Sequence, residues 1–127
     1  MKKDNKRKGD VWKRKGGPMV VEKDDSRYEA YREHWKRTGV SPDETWNLYF
    51  TFALIALPRL KLFREQTICC PADLGTMDRW HEVLDKMIHA FELIVDDEHP
   101  YSEKENGLQE VEEGLDLFRK YYLALWW

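Results

Sequence analysis

One stretch constrains this chain more than any other: Ser41 to Gln66, SPDETWNLYFTFALIALPRLKLFREQ. Ser41 and Glu44 have the spacing of a capping box, and Pro42 takes the first helical position, where a missing N–H is no loss. Ten apolar side chains then crowd Trp46 to Leu57, more than a one-faced surface helix needs. The expectation is a central helix over about 42–66 with neighbours on several sides. Pro58 lies inside it and removes an amide from the ladder, so a kink or break is expected near Ala53 to Leu57.

The remaining segments also read as helices. A helix over about 25–38 is capped by Asp24, Asp25 or Ser26, carries a narrow aromatic face of Tyr28, Tyr31 and Trp35, and ends at Gly39. Thr76 caps a helix over about 77–96, whose stripe Trp80, Val83, Leu84, Met87, Ile88, Phe91, Ile94 and Val95 follows helical spacing through more than four turns. Ser102 and Glu105 form a second capping box for a last helix over about 103–126. There Leu108, Val111, Leu115, Phe118, Tyr122 and Leu125 alternate steps of three and four, as in a coiled coil. A second apolar side, Gly114, Leu117, Tyr121 and Ala124, means this helix is either sandwiched in its own bundle or meets another chain. The fold class read from these patterns is all-α, a four-helix bundle-like single domain over residues 18–127 around a Pro-kinked helix, preceded by a flexible basic arm over residues 1–17.

At 127 residues the chain is long enough for one core without disulfide or metal staples. No apolar run approaches the roughly 20 residues of a membrane span, and no hydrophobic segment lies near Met1, so a cytosolic setting without membrane contact is expected. Cys69 and Cys70 are adjacent, which disfavours a mutual disulfide and offers no metal-ligand spacing; two reduced thiols in a loop are expected.

The net charge of −3 conceals an asymmetry. Residues 1–17 hold eight Lys/Arg against Asp4 and Asp10, about +6, leaving about −9 on the rest. Lys2, Lys3, Lys6, Arg7, Lys8, Lys13, Arg14 and Lys15 are candidate phosphate contacts, with Trp12 placed to stack on a base or fill a protein groove. The alternatives are a solubilising tail and a protein-binding segment.

Catalytic chemistry is sparse in this sequence. Ser41 and Ser102 are taken as caps, and none of His34, His81, His89 and His99 stands by an evident nucleophile. His81, Asp85 and His89 follow one another at i+4 steps, but one helix rarely supplies three ligands to one ion, so a polar flank beside the core stripe is expected. No catalytic residue, metal site or cofactor is expected, and the chain is read as a non-enzyme. Nine Asp/Glu crowd Asp96 to Asp116 with only Lys104 among them. They form either a wet helix face or a surface that docks on basic partners. The candidate protein-binding residues are Glu110, Glu112, Glu113, Leu117, Tyr121, Trp126 and Trp127.

Three pieces occur together: Asp43-Glu44-Thr45-Trp46-x-Leu48 leading to Leu57-Pro58-Arg59-Leu60-x-x-Phe63; Trp80 leading to Leu84-Asp85-Lys86-Met87-Ile88-x-Ala90-Phe91-Glu92; and Glu113-Gly114-Leu115-x-Leu117-Phe118-x-Lys120-Tyr121 ending in Leu125-Trp126. Over about residues 41–127 this resembles a group of small uncharacterised helical proteins of tailed bacteriophages. The resemblance implies a viral protein made in the host bacterial cytoplasm, and carries over no activity. Two functions are expected to compete. One is an interaction protein that binds a host or phage protein, inhibiting a nucleic-acid-handling or antiviral defence complex, with the last helix also open to pairing between copies. The other is a nucleic-acid-binding accessory protein that uses the basic arm.

Overall fold

The computed structural model describes residues 21–96, 103 and 105–126, and among these the regular structure is entirely helical. Four α-helices follow in order: α1 (Tyr28–Thr38), α2 (Leu48–Gln66), α3 (Met77–Val95) and α4 (Gly107–Tyr121). A 3-10 turn, Pro42–Thr45, precedes α2, and another, Tyr122–Ala124, follows α4. Contacts group the chain into two units that divide between Leu54 and Ile55, inside α2 and one turn before Pro58. The helix is unbroken across that proline.

In the first unit α1 is a cover element, as its sequence implies. Tyr28, Tyr31 and Trp35 are half-buried, and no residue of the helix is fully enclosed. Its N-cap is Arg27, without a side-chain cap bond, in place of the Asp24, Asp25 or Ser26 cap expected; Asp25, just ahead of it, accepts the Arg27 amide at 2.8 Å and the guanidinium through Nε at 2.9 Å and Nη2 at 2.7 Å. Gly39, at φ 83°, ends it in the left-handed region and donates its amide to the Trp35 carbonyl at 2.7 Å. Arg27 in turn lies 4.8 Å above the Trp46 ring, which meets Tyr31 edge-on at 6.1 Å. Such cation–π and edge contacts add roughly 0.5–1.5 kcal/mol each beyond the area they cover.

The capping box at Ser41 is present, with the Ser41 amide donating to Glu44 Oε2 at 2.6 Å. It opens a 3-10 turn instead of the α-helix itself, which begins only at Leu48. Around that turn sits a buried polar node. Asp43 accepts the Val21 amide at 2.8 Å and the Ser41 hydroxyl, and Thr51 donates to the Glu44 carbonyl at 2.9 Å. The apolar run that follows is less covered than its composition implies. Ala53 and Leu54 are buried, but Trp46, Leu48, Tyr49 and Phe52 are exposed.

In the second unit α3 supplies the core. Trp80, Leu84, Met87, Ile88 and Phe91 are buried as the stripe requires, joined by Ala90 and Leu93. Thr76 caps the helix, accepting the Arg79 amide at 3.2 Å. Trp80 is enclosed edge-on by Phe63 at 6.3 Å and Tyr121 at 5.7 Å. Two ion pairs tie α2 to α3, Arg64 to Asp85 at 2.6 Å and Lys61 to Glu92 at 3.2 Å. Both pairs are exposed, so they contribute about 0–1 kcal/mol each and set register more than stability.

The face that α4 turns to α3 keeps part of the coiled-coil stripe expected: Val111 is buried and Phe118 meets Phe91 edge-on at 5.3 Å. Gly107, Val111, Gly114 and Tyr121 are buried, whereas Leu108, Leu115 and Tyr122 are exposed. Gly114 explains the rotation. A Cβ built there would lie 2.5 Å from the Lys86 carbonyl oxygen and overlap the Ala90 methyl, so the two backbones approach where only glycine fits. The helix also begins later than the Ser102 box implies. Asn106, at φ 60°, precedes Gly107 as the first helical residue, and Ser102 lies outside the described residues.

Candidate functional site

The outer side of α4, opposite its contact with α3, carries the most distinctive surface of the second unit. Gln109, Glu112, Glu113, Asp116 and Leu117 line a shallow depression of about 420 Å³. Helical spacing places these residues together: positions 109, 112, 113, 116 and 117 recur at steps of three and four. Leu117 is the half-buried apolar member among acids and an amide.

The acids on this helix divide by what they touch. Glu113 meets Lys86 at 2.9 Å and Glu110 meets His89 Nε2 at 2.7 Å, so both reach back to α3 and clamp the helix. Glu112 and Asp116 make no ion pair or hydrogen bond among the described residues. They leave two carboxylates without side-chain partners among those residues, one turn apart, in the same depression as Leu117, where a cationic partner would gain by meeting them.

The binding residues read from the sequence are therefore brought together only in part. Glu112, Glu113 and Leu117 share the depression, while Glu110 lies at the edge of the α3–α4 contact. Tyr121 is a correction. It is buried, with its hydroxyl donating to Asp73 at 2.7 Å and its ring against Trp80, so it serves the core. Trp126 is 67% exposed beyond the final 3-10 turn and is free for contact. Trp127 lies outside the described residues, as do Lys2, Lys3, Lys6, Arg7, Lys8, Trp12, Lys13, Arg14 and Lys15 of the basic arm. Gln109 and Asp116 were missed as individual site residues, although their spacing from Glu112 and Glu113 was there to be read.

A second concavity of about 250 Å³ is lined by Ala56, Arg59, Leu60, Phe63, Phe118 and Leu125. Its lining offers one guanidinium in an apolar groove, with no carboxylate, imidazole, hydroxyl or thiol among those six side chains. The flank that the sequence placed at His81, Asp85 and His89 is engaged structurally: Asp85 holds Arg64 and His89 holds Glu110. Among the described residues no group of three or more His, Cys, Asp or Glu side chains converges as metal ligands would, and no helix is long and apolar enough to cross a membrane. In comparisons with known proteins, no family model, curated protein or solved structure matches the chain.

Proposed function

We propose that this chain is a non-enzymatic interaction protein of a tailed bacteriophage, acting in the host bacterial cytoplasm by binding a host or phage protein through the outer face of α4. The partner surface it fits is basic, of the kind that holds nucleic acid, so that occupancy by the acidic face blocks a nucleic-acid-handling or defence complex. The observation that carries this reading is the pair Glu112 and Asp116: exposed, one turn apart, without partners among the described residues, and flanking Leu117 in a concave surface. Charge arranged in this way accelerates encounter with an oppositely charged partner, and a small apolar element beside it fixes the docked pose. Trp126 adds an aromatic anchor of the type enriched at binding hot spots.

The test is capture from host lysate with the full chain against the double variant Glu112→Lys, Asp116→Lys. That variant leaves the α3–α4 ion pairs intact. Loss of the captured protein, with association slowed about tenfold or more for the purified pair and helicity unchanged, is the expected result. Capture that persists unaltered in the double variant and in Trp126→Ala removes the basis for the proposal.

A further inference from the structure

The connection from α2 to α3 carries free thiols on consecutive residues, Cys69 exposed and Cys70 half-buried. Neither belongs to the buried core or lines the acidic depression. Residues 67–71 have no regular structure, and Pro71 disfavours helical backbone at Cys70. The peptide that joins the two cysteines is itself held, because the hydroxyl of the buried Thr67 donates to the Cys69 carbonyl at 3.1 Å. On the other side the Pro71 carbonyl accepts the Leu74 and Gly75 amides at 3.1 and 3.4 Å, and Asp73 accepts the Tyr121 hydroxyl at 2.7 Å. A backbone change at the two cysteines is therefore passed to the end of α4.

We propose that Cys69 and Cys70 form a reversible redox site, oxidised by peroxide to a disulfide between neighbours that resets the α2–α3 loop. Cys69, the more exposed thiol, takes the oxidant. Its sulfur attacks hydrogen peroxide, the O–O bond breaks as an S–O bond forms, and the thiol proton leaves with the displaced hydroxide as water. The Cys70 sulfur then attacks this sulfenic acid, the S–O bond breaks as the S–S bond forms, and the Cys70 proton departs with the hydroxyl as a second water. Two electrons pass from the thiol pair to one peroxide. The adjacency that disfavours a permanent disulfide suits a transient one. Alpha carbons across one trans peptide lie about 3.8 Å apart, short of the roughly 4.4–6.8 Å that disulfides usually span. The closed form is strained and easily reduced, as a site that resets must be. The carbon of the Cys69 carbonyl lies within the ring so formed. Closure turns that carbonyl away from Thr67 and takes the acceptor from a buried hydroxyl. The loop shifts to satisfy it again, and Asp73 moves with the loop.

Treatment of the full chain with hydrogen peroxide, read by thiol count and by the mass of the proteolytic peptide that carries both cysteines, tests this. The expected product is that peptide lighter by two hydrogens, with both thiols lost together and both returned by dithiothreitol. Cys69→Ser and Cys70→Ser should each abolish it, and treated Cys70→Ser should hold at Cys69 a sulfenic acid that dimedone traps. Hydrogen exchange is the second measurement. On oxidation the amides of residues 72–75 and of the last turn of α4 should lose protection, and the double variant Cys69→Ser, Cys70→Ser should show no such change under the same treatment. Disulfides formed only between copies, thiols that oxidise onward independently of each other, or a closed ring that leaves exchange in residues 72–75 and α4 unaltered overturns the proposal.

Discussion

Tyr121 donates its hydroxyl to Asp73 at 2.7 Å, and through this bond the last turn of α4 is fixed to the loop that leads into α3. Hydrogen bonding to Asp73, then burial, then the aspartate's charge, all oppose loss of the phenolic proton, so Tyr121 titrates above its ordinary value near 10. With the folded value raised, the contribution of this group to stability is complete below the ordinary pKa and lost as pH rises through the folded one. Asp73→Asn should therefore lower the pH at which phenolate absorbance from Tyr121 appears. Tyr121→Phe should remove this alkaline component of unfolding while keeping the ring on Trp80.

Gly114→Ala should destabilise the second unit. A methyl there meets the Lys86 carbonyl oxygen at 2.5 Å and runs into Ala90. Overpacking of this kind costs about 1–3 kcal/mol. The gain in helix propensity, about 1 kcal/mol, offsets only part of it. Urea denaturation followed by circular dichroism should show the midpoint fall. Adding Ala90→Gly should recover less than the whole loss, because the clash with the Lys86 backbone remains.

Two carboxylates of the first unit should titrate in opposite directions. Burial raises the Glu44 pKa, with Asp43 nearby adding to the rise and the Ser41 amide opposing it. Its contribution is present below the ordinary carboxylate value and lost as pH climbs through the raised one. Asp25 is held at about 2 by hydrogen bonds from the Arg27 side chain and amide. Its contribution is present above its ordinary value and lost as pH falls through about 2. Carboxyl carbon titration by NMR resolves both. Arg27→Gln should return Asp25 toward its usual value and leave Glu44 unmoved, and Glu44→Gln should flatten the pH dependence above the ordinary carboxylate value.

Ser41→Ala should cost about 0.5–2 kcal/mol, the usual range for a lost cap. Its hydroxyl is one of the donors to the buried Asp43 carboxylate. Thermal unfolding read against Ser41→Thr, which keeps a hydroxyl, separates the lost donor from the change in volume.

The helices were legible because most of their signals are local. Thr76 and Gly39 each mark a helix end through one hydrogen bond, the Ser41–Glu44 box marks the 3-10 turn ahead of α2, and the α3 stripe repeats long enough to leave no second reading. The face of α4 was not legible in the same way. Leu108, Leu115 and Tyr122 of its expected stripe are exposed, while the packed side combines Val111 of that stripe with Gly114 and Tyr121 of the second apolar side and with Gly107, which has no side chain to signal its place. The exposed Leu48, Tyr49 and Phe52 were misjudged for a related reason: composition reports how much could be buried, not what is near enough to bury it. The buried role of Asp43 was hidden because its partners, Val21 and Ser41, come from the chain before the helix it was assigned to. Of the acidic site, Glu112 and Glu113 were named from charge density alone, but only the cross-helix reach of Glu113 and Glu110 separates anchoring acids from available ones.

A glycine in mid-helix has a consequence beyond fit. Gly114 weakens α4 as an autonomous helix, so the rod that presents Glu112 and Asp116 owes its order to the neighbour it leans on. Prising α3 from α4 would fray the very segment that displays those charges, and hydrogen exchange in α4 should rise and fall with the integrity of the Lys86–Ala90 crossing.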